Sequence, residues 1–103
     1  MGAREPVLPD FDPVLLSQAR LGAVAILMAR DEASFAELEV LLGLTRGNLG
    51  QHLRRLEEAG YVTVRKEFVD RRPRTSYRLA AKGRRAFEAH VATLRRIAED
   101  GKG

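Results

Sequence analysis

The 103-residue chain has no cysteine, which removes disulfides and thiolate metal ligands at once. Its two histidines, His52 and His90, stand far apart in sequence and suggest no metal centre. Long apolar runs are missing as well. The longest, Ala23–Ala29, falls far short of the roughly 20 residues that a bilayer-spanning helix requires. Acidic and proline residues are scattered through the first thirteen positions, where a signal peptide would carry a basic segment and then an apolar one. A cytoplasmic protein with no membrane partner is the expectation. Catalytic signatures are also wanting. No paired carboxylates or nucleophile–base set is visible, and Gly43–Gly50 lacks the Lys-Ser/Thr ending of a phosphate-binding loop. Neither an enzyme nor a bound cofactor is expected. Asparagine occurs once and glutamine twice beside abundant arginine, a faint mark of thermal adaptation that decides nothing about function.

What is present is an ordinary globular balance, with 45% hydrophobic and 31% charged residues in a length that suits one core. The net charge of +4 conceals an asymmetry. Residues 1–45 hold three Lys/Arg against seven Asp/Glu, whereas residues 46–85 hold twelve against four. So basic a middle segment favours a polyanionic partner, the alternative being a solvated face.

Residues 1–11 show no periodicity and read as an extended arm ahead of a single domain over 12–99. Asp12 and Pro13 form a favourable helix start, and apolar residues cover more than one face of a first helix expected over 12–29. Ser34 and Glu37 have the spacing of a capping box, opening a second helix over 34–42 that Gly43 stops. Thr45 then caps a third helix, 45–59, with Leu44 and Leu49 at staple spacing. Leu49, Leu53 and Leu56 recur at i, i+4, i+7 and must face inward. That leaves Gly47, Asn48, Gln51, Arg54 and Arg55 pointing outward, and Gly60 ends the helix. Two strands follow within 61–79, joined by a turn at Asp70–Arg74 that carries Pro73 and three arginines. A last helix, 81–99, closes the chain with a stripe of Phe87, Val91, Leu94 and Ala98.

Helix, tight turn, helix, hairpin and closing helix give an α+β, mostly α fold: a winged helix-turn-helix with a two-stranded β-hairpin wing and a C-terminal dimerisation helix. In that arrangement the third helix suits the major groove, where Gln51 can pair with adenine and Arg54 with guanine. Thr45, Arg46 and Asn48 lie at its N-terminus, which favours a phosphate. Arg55 more plausibly holds backbone, and Arg71, Arg72 and Arg74 can reach a narrow minor groove. Ser34, at the start of the second helix, completes the expected contact set. Gly47 and Gly50 weaken a helix by roughly 1 kcal/mol each relative to alanine, and close approach to DNA or to a neighbouring helix would explain them.

The runs GLTRGNLGQHLRRLEEAGYV and FVDRRPRTSYRLAAKGRRAF resemble the small winged-helix transcription regulators related to the MarR and ArsR groups, over about Phe11–Leu94. The resemblance implies a double-stranded-DNA-binding regulator, usually a homodimer on a palindromic operator. It also implies contacts from Thr45, Arg46, Asn48, Gln51 and Arg54 and from the wing at Arg71–Arg74. Repression is favoured over activation, because no effector or activation domain is visible. The chain departs from the pattern at Ala80, where a threonine often caps the last helix, and in lacking the residues of a metal sensor. Leu15 and Leu21 of the first helix, with Phe87, Val91, Leu94 and Ala98 of the last, are the expected dimerisation residues. A small-molecule effector is left open, with no polar cluster to mark it. The rival reading is a protein–protein interaction module whose basic face is only solvated.

Overall fold

The computed structural model describes residues 11–101. The expected arm at residues 1–11 therefore lies outside it, except for Phe11. Four α-helices and three strands follow in the order α1 (Gln18–Ala29), β1 (Ala33–Ser34), α2 (Phe35–Leu42), α3 (Arg46–Glu58), β2 (Val62–Val69), β3 (Arg72–Leu79) and α4 (Ala81–Asp100). The sheet is antiparallel with strand order β1-β3-β2.

The first helix begins later than its sequence suggests. Asp12 does cap a helical start, but only a 3₁₀ turn, Pro13–Leu15, whose Val14 N–H it accepts at 2.9 Å. Leu16 then breaks the path, and Ser17 starts α1 by accepting from the Arg20 N–H at 3.2 Å. A serine inside an apolar run offers the backbone an alternative partner, and that competition places the break. The turn keeps its place because the Tyr61 hydroxyl donates to the Asp12 carboxylate. Burial, then this hydrogen bond, pushes the Tyr61 hydroxyl up to about 12, so it remains a donor.

The sheet holds one strand more than expected. Ala33 and Ser34 pair with Tyr77 and Ser76, adding a third strand to the two-stranded hairpin. Two residues are too few to show alternation, so no sequence pattern announces them. The hairpin itself is longer and tighter than its expected five-residue turn. Only Asp70 and Arg71 separate β2 from β3, and both have positive φ, 51° and 66°. This is the conformation of a type I′ turn, whose twist matches the strands it joins. Pro73 thus falls in β3, opposite Phe68. A two-residue turn makes Val69–Arg72 the hydrogen-bonded closing pair, so the Phe68–Pro73 position needs no donor toward β2.

The core joins α1, α2, α3 and the base of the hairpin: Leu15, Val24, Leu27, Leu38, Leu49, Leu53, Leu56, Val62 and Tyr77 are all buried. Each fully buried leucine contributes about 1.5–3 kcal/mol against exposure, most of it offset by lost chain entropy. Leu15 was expected at a subunit interface, but it is 1% exposed, spent inside its own core. At the far side of the hairpin, α4 starts without a side-chain cap at Ala80. Its first turn is nevertheless seated closely. The Tyr61 carbonyl accepts the Ala80 N–H at 2.9 Å, and a Cβ at Gly83 would come within 2.3 Å of that same oxygen.

Candidate nucleic-acid interface

Local chemistry fixes both ends of α3. Thr45 accepts the Asn48 N–H at 3.3 Å, while Gly43, at φ 64°, turns the chain out of α2. At the other end the Tyr61 N–H donates to the Leu56 carbonyl and the Gly60 N–H to the Glu57 carbonyl, both at 2.9 Å. That pairing with a left-handed glycine is a Schellman stop. The roll of the helix is set by Leu49, Leu53 and Leu56, which are buried to 1% exposure or less. A brace from α1 supports it. Arg20 donates from Nη1 to His52 Nδ1 at 3.1 Å and from Nε to the Val14 carbonyl at 2.6 Å. A guanidinium can only donate, so Nδ1 is the acceptor, and the half-buried His52 has a structural partner.

With that roll, Thr45, Arg46, Gly47, Asn48, Gln51, Arg54 and Arg55 are all exposed. Among the described residues no carboxylate pairs with Arg46, Arg54, Arg55, Arg71 or Arg72. By contrast, Arg78 and Arg65 reach Glu32 at 3.2 and 3.6 Å and Arg30 reaches Glu37 at 3.6 Å, whereas Arg84, Arg85, Arg95 and Arg96 of α4 are also without a carboxylate partner among the described residues. Arg74 is intermediate, 3.9 Å from Glu37. A methyl group at Gly47 or Gly50 would meet nothing within 4 Å. Of the two reasons that would account for these glycines, close packing on a neighbouring helix is thereby removed for both.

A groove of about 430 Å³ runs between the starts of α2 and α3 and the hairpin, lined by Phe35, Arg46, Lys66, Arg74 and Thr75 among others. Arg46 lies 5.3 Å from the Phe35 ring centre, a cation–π contact that directs its guanidinium. Lys66 was not among the residues expected at this surface. Its signal was present, because it interrupts the apolar alternation Val62, Val64 on one strand face. Ser34 is the opposite case. Expected as a contact, it is 6% exposed and committed to the capping box. Its hydroxyl accepts the Glu37 N–H at 3.1 Å, and its own N–H donates to the Glu37 carboxylate at 2.8 Å. The Ser34 backbone N–H and then the Ser34 hydroxyl, joined by Arg30 and Arg74, hold the Glu37 carboxyl below its ordinary range.

The expected dimerisation residues divide. Leu15 is internal and Leu21 half-buried, whereas on α4 Phe87 and Val91 are half-buried and Ala98 is exposed. Leu94 and Ile97 remain 46% and 41% exposed. Among the described residues no cluster of carboxylates and histidines is placed to hold a metal ion, and no helix is long and apolar enough to cross a membrane.

A tight helix-turn-helix, an outward basic helix face and an arginine-tipped hairpin beside it define a winged helix-turn-helix. Residues 19–98 match the family of winged helix DNA-binding domains, a non-enzymatic class, and the chain belongs to that family. An uncharacterized protein of Methanocaldococcus jannaschii is 32% identical over 84 residues, covering 82% of this chain and 91% of that protein. A transcriptional regulator homologue from Pyrococcus horikoshii superposes with a TM-score of 0.79 at 32% identity, covering 84% and 86% of the two chains. HlyU from Vibrio cholerae in its reduced form gives 0.62 at 29% identity, over 73% and 75% of the chains. MarR shares the fold, with a TM-score of 0.72 at 20% identity over 84% of this chain and 62% of that one.

Proposed function

We propose that this chain is a homodimeric, sequence-specific regulator of transcription that represses by occupying a palindromic operator in the nucleoid. Helix α3 enters the major groove. Asn48, Gln51 and Arg54 read base edges there, while Thr45, Arg46 and Arg55 hold backbone. The wing arginines lie along the adjacent backbone or minor groove. The observation that carries this reading is the face shared by α3 and the wing tip, where Arg46, Arg54, Arg55, Arg71 and Arg72 have no carboxylate partner among the described residues, whereas Arg30, Arg65 and Arg78 do. An uncompensated cationic surface gains most from releasing counterions off a phosphate backbone. The half-exposed Leu94 and Ile97 support pairing through α4. A two-fold pair would set its α3 helices about 34 Å apart, one turn of duplex.

Selection of bound duplexes from a random pool, followed by a salt titration, tests the reading. Enriched half-sites about 10 base pairs apart are expected, with a log–log salt slope near −0.9 per phosphate contact. Replacing Arg71, Arg72 and Arg74 by alanine lowers that slope, and an unchanged slope removes the wing from the footprint. Absence of binding to any duplex at about 50 mM salt overturns the function itself.

A further inference from the structure

Phe68 sits two residues from the wing tip and is 76% exposed, in a hairpin whose other bulky apolar residues on that strand face, Val62 and Val64, are buried and half-buried. Strand alternation puts Phe68 on the face of Lys66, which lines the groove against the start of α3 together with Pro73. Across the ladder Phe68 faces Pro73 itself, at a position where side chains of opposed strands stand closest. The ring is thus backed by a rigid pyrrolidine and followed at once by a tight turn. Arg71 and Arg72 flank it, exposed and without carboxylate partners among the described residues. Six residue steps along the strand lead from Val62 in the core to Phe68, a reach of roughly 20 Å. That is comparable with half of the about 34 Å turn that separates a major groove from the next minor one along one side of a duplex.

From this placement we propose that Phe68, seated on Pro73, is an apolar wedge that enters the minor groove beside the α3 site, parts a base step and bends the duplex. The proposal rests on the DNA-binding reading above and adds a device to it. An exposed aromatic ring with Lys66, Arg71, Arg72 and Arg74 near it, against Glu67 and Asp70, has a net cationic surround and fits a duplex better than an apolar partner. The arginines hold the phosphates on either side, and the ring replaces the stacking that the parted step gives up.

The test uses duplexes recovered by selection, labelled at both ends for energy transfer and carrying 2-aminopurine at successive positions outside the α3 site. The wild-type chain is expected to shorten the end-to-end distance and raise 2-aminopurine emission at one step per wing. Phe68→Ser abolishes both and lowers affinity roughly tenfold, with an unchanged salt slope because no charge is lost. Phe68→Leu restores the bend, and both variants melt with the wild type, since the ring is outside the core. A Phe68→Ser chain that bends and unstacks DNA as before overturns the wedge. So does a Phe68→Ser chain whose main change is oligomeric mass, which would assign the ring to a contact between copies. Wild-type binding to a straight, fully stacked duplex defeats the wedge alone, whereas no binding to any duplex defeats the DNA-binding reading beneath it.

Discussion

Helices α3 and α4 are both amphipathic, yet they leave different things outside. Every residue of the α3 leucine stripe is 1% exposed or less, so what remains on its surface is arginine, glutamine, asparagine and glycine, with Glu57 and Glu58 confined to its last turn. Helix α4 buries Gly83, His90 and Thr93 but leaves Leu94 and Ile97 nearly half in water. A helix with its apolar residues fully covered by its own chain offers a partner only polar and charged contacts. A helix that still shows leucine and isoleucine offers area to another apolar surface. The two helices therefore suit contacts of opposite chemistry, in line with the proposed roles: polar and charged for α3, apolar for α4.

Four sets of substitutions break or sharpen this contrast. Leu53→Ala attacks the covered side of α3 and should cost about 2–5 kcal/mol of stability in denaturant titration, because the cavity is enclosed. A much smaller loss would mean that the stripe is less tightly held than its burial implies. The paired change of Leu94 and Ile97 to glutamate should spare the monomer fold while dissociating the proposed dimer, on the order of 3 kcal/mol from lost apolar burial across a two-fold. Sedimentation reads this directly, and an unchanged mass would move the pairing elsewhere. Arg54→Ala leaves stability alone and should cost about 1–3 kcal/mol of binding with relaxed preference at one base pair. An equal loss on all sequences would recast Arg54 as a phosphate contact. Smallest of all, Gly47→Ala and Gly50→Ala should each raise stability by up to roughly 1 kcal/mol while weakening DNA binding. Tighter binding from these variants would show that the backbone is not closely approached there.

The α3 side of the contrast was legible in the sequence, because its signals are local. Thr45 and Gly60 mark the ends and three leucines set the roll, so the outward residues follow by geometry. The wing was legible as a hairpin but not in its register. Pro73 suggests a turn residue, whereas it stands in a strand at a position that needs no donor toward β2. Lys66 reads as a defect in an apolar strand face until the fold brings Arg46 beside it. The covering of Leu15 and Ser34 is long-range. Whether a leucine at the edge of a first helix, or a capping serine, ends inside or outside depends on elements that arrive later in the chain. Strand β1 is invisible for a simpler reason, since two residues have no period.

Tyr61 carries an implication of its own. Its N–H closes α3 on the Leu56 carbonyl, while its own carbonyl accepts from Ala80 and leaves space only for glycine at position 83. The end of the helix proposed to read the duplex and the start of the helix proposed to join the subunits are thereby hinged on one residue, closely packed against Gly83. In a pair joined through α4, that corner acts as a gauge. It sets how many base pairs lie between the two half-sites, independently of which bases either half-site contains. Divergence at position 83 or at its seat on Tyr61 would alter operator spacing before it altered operator sequence.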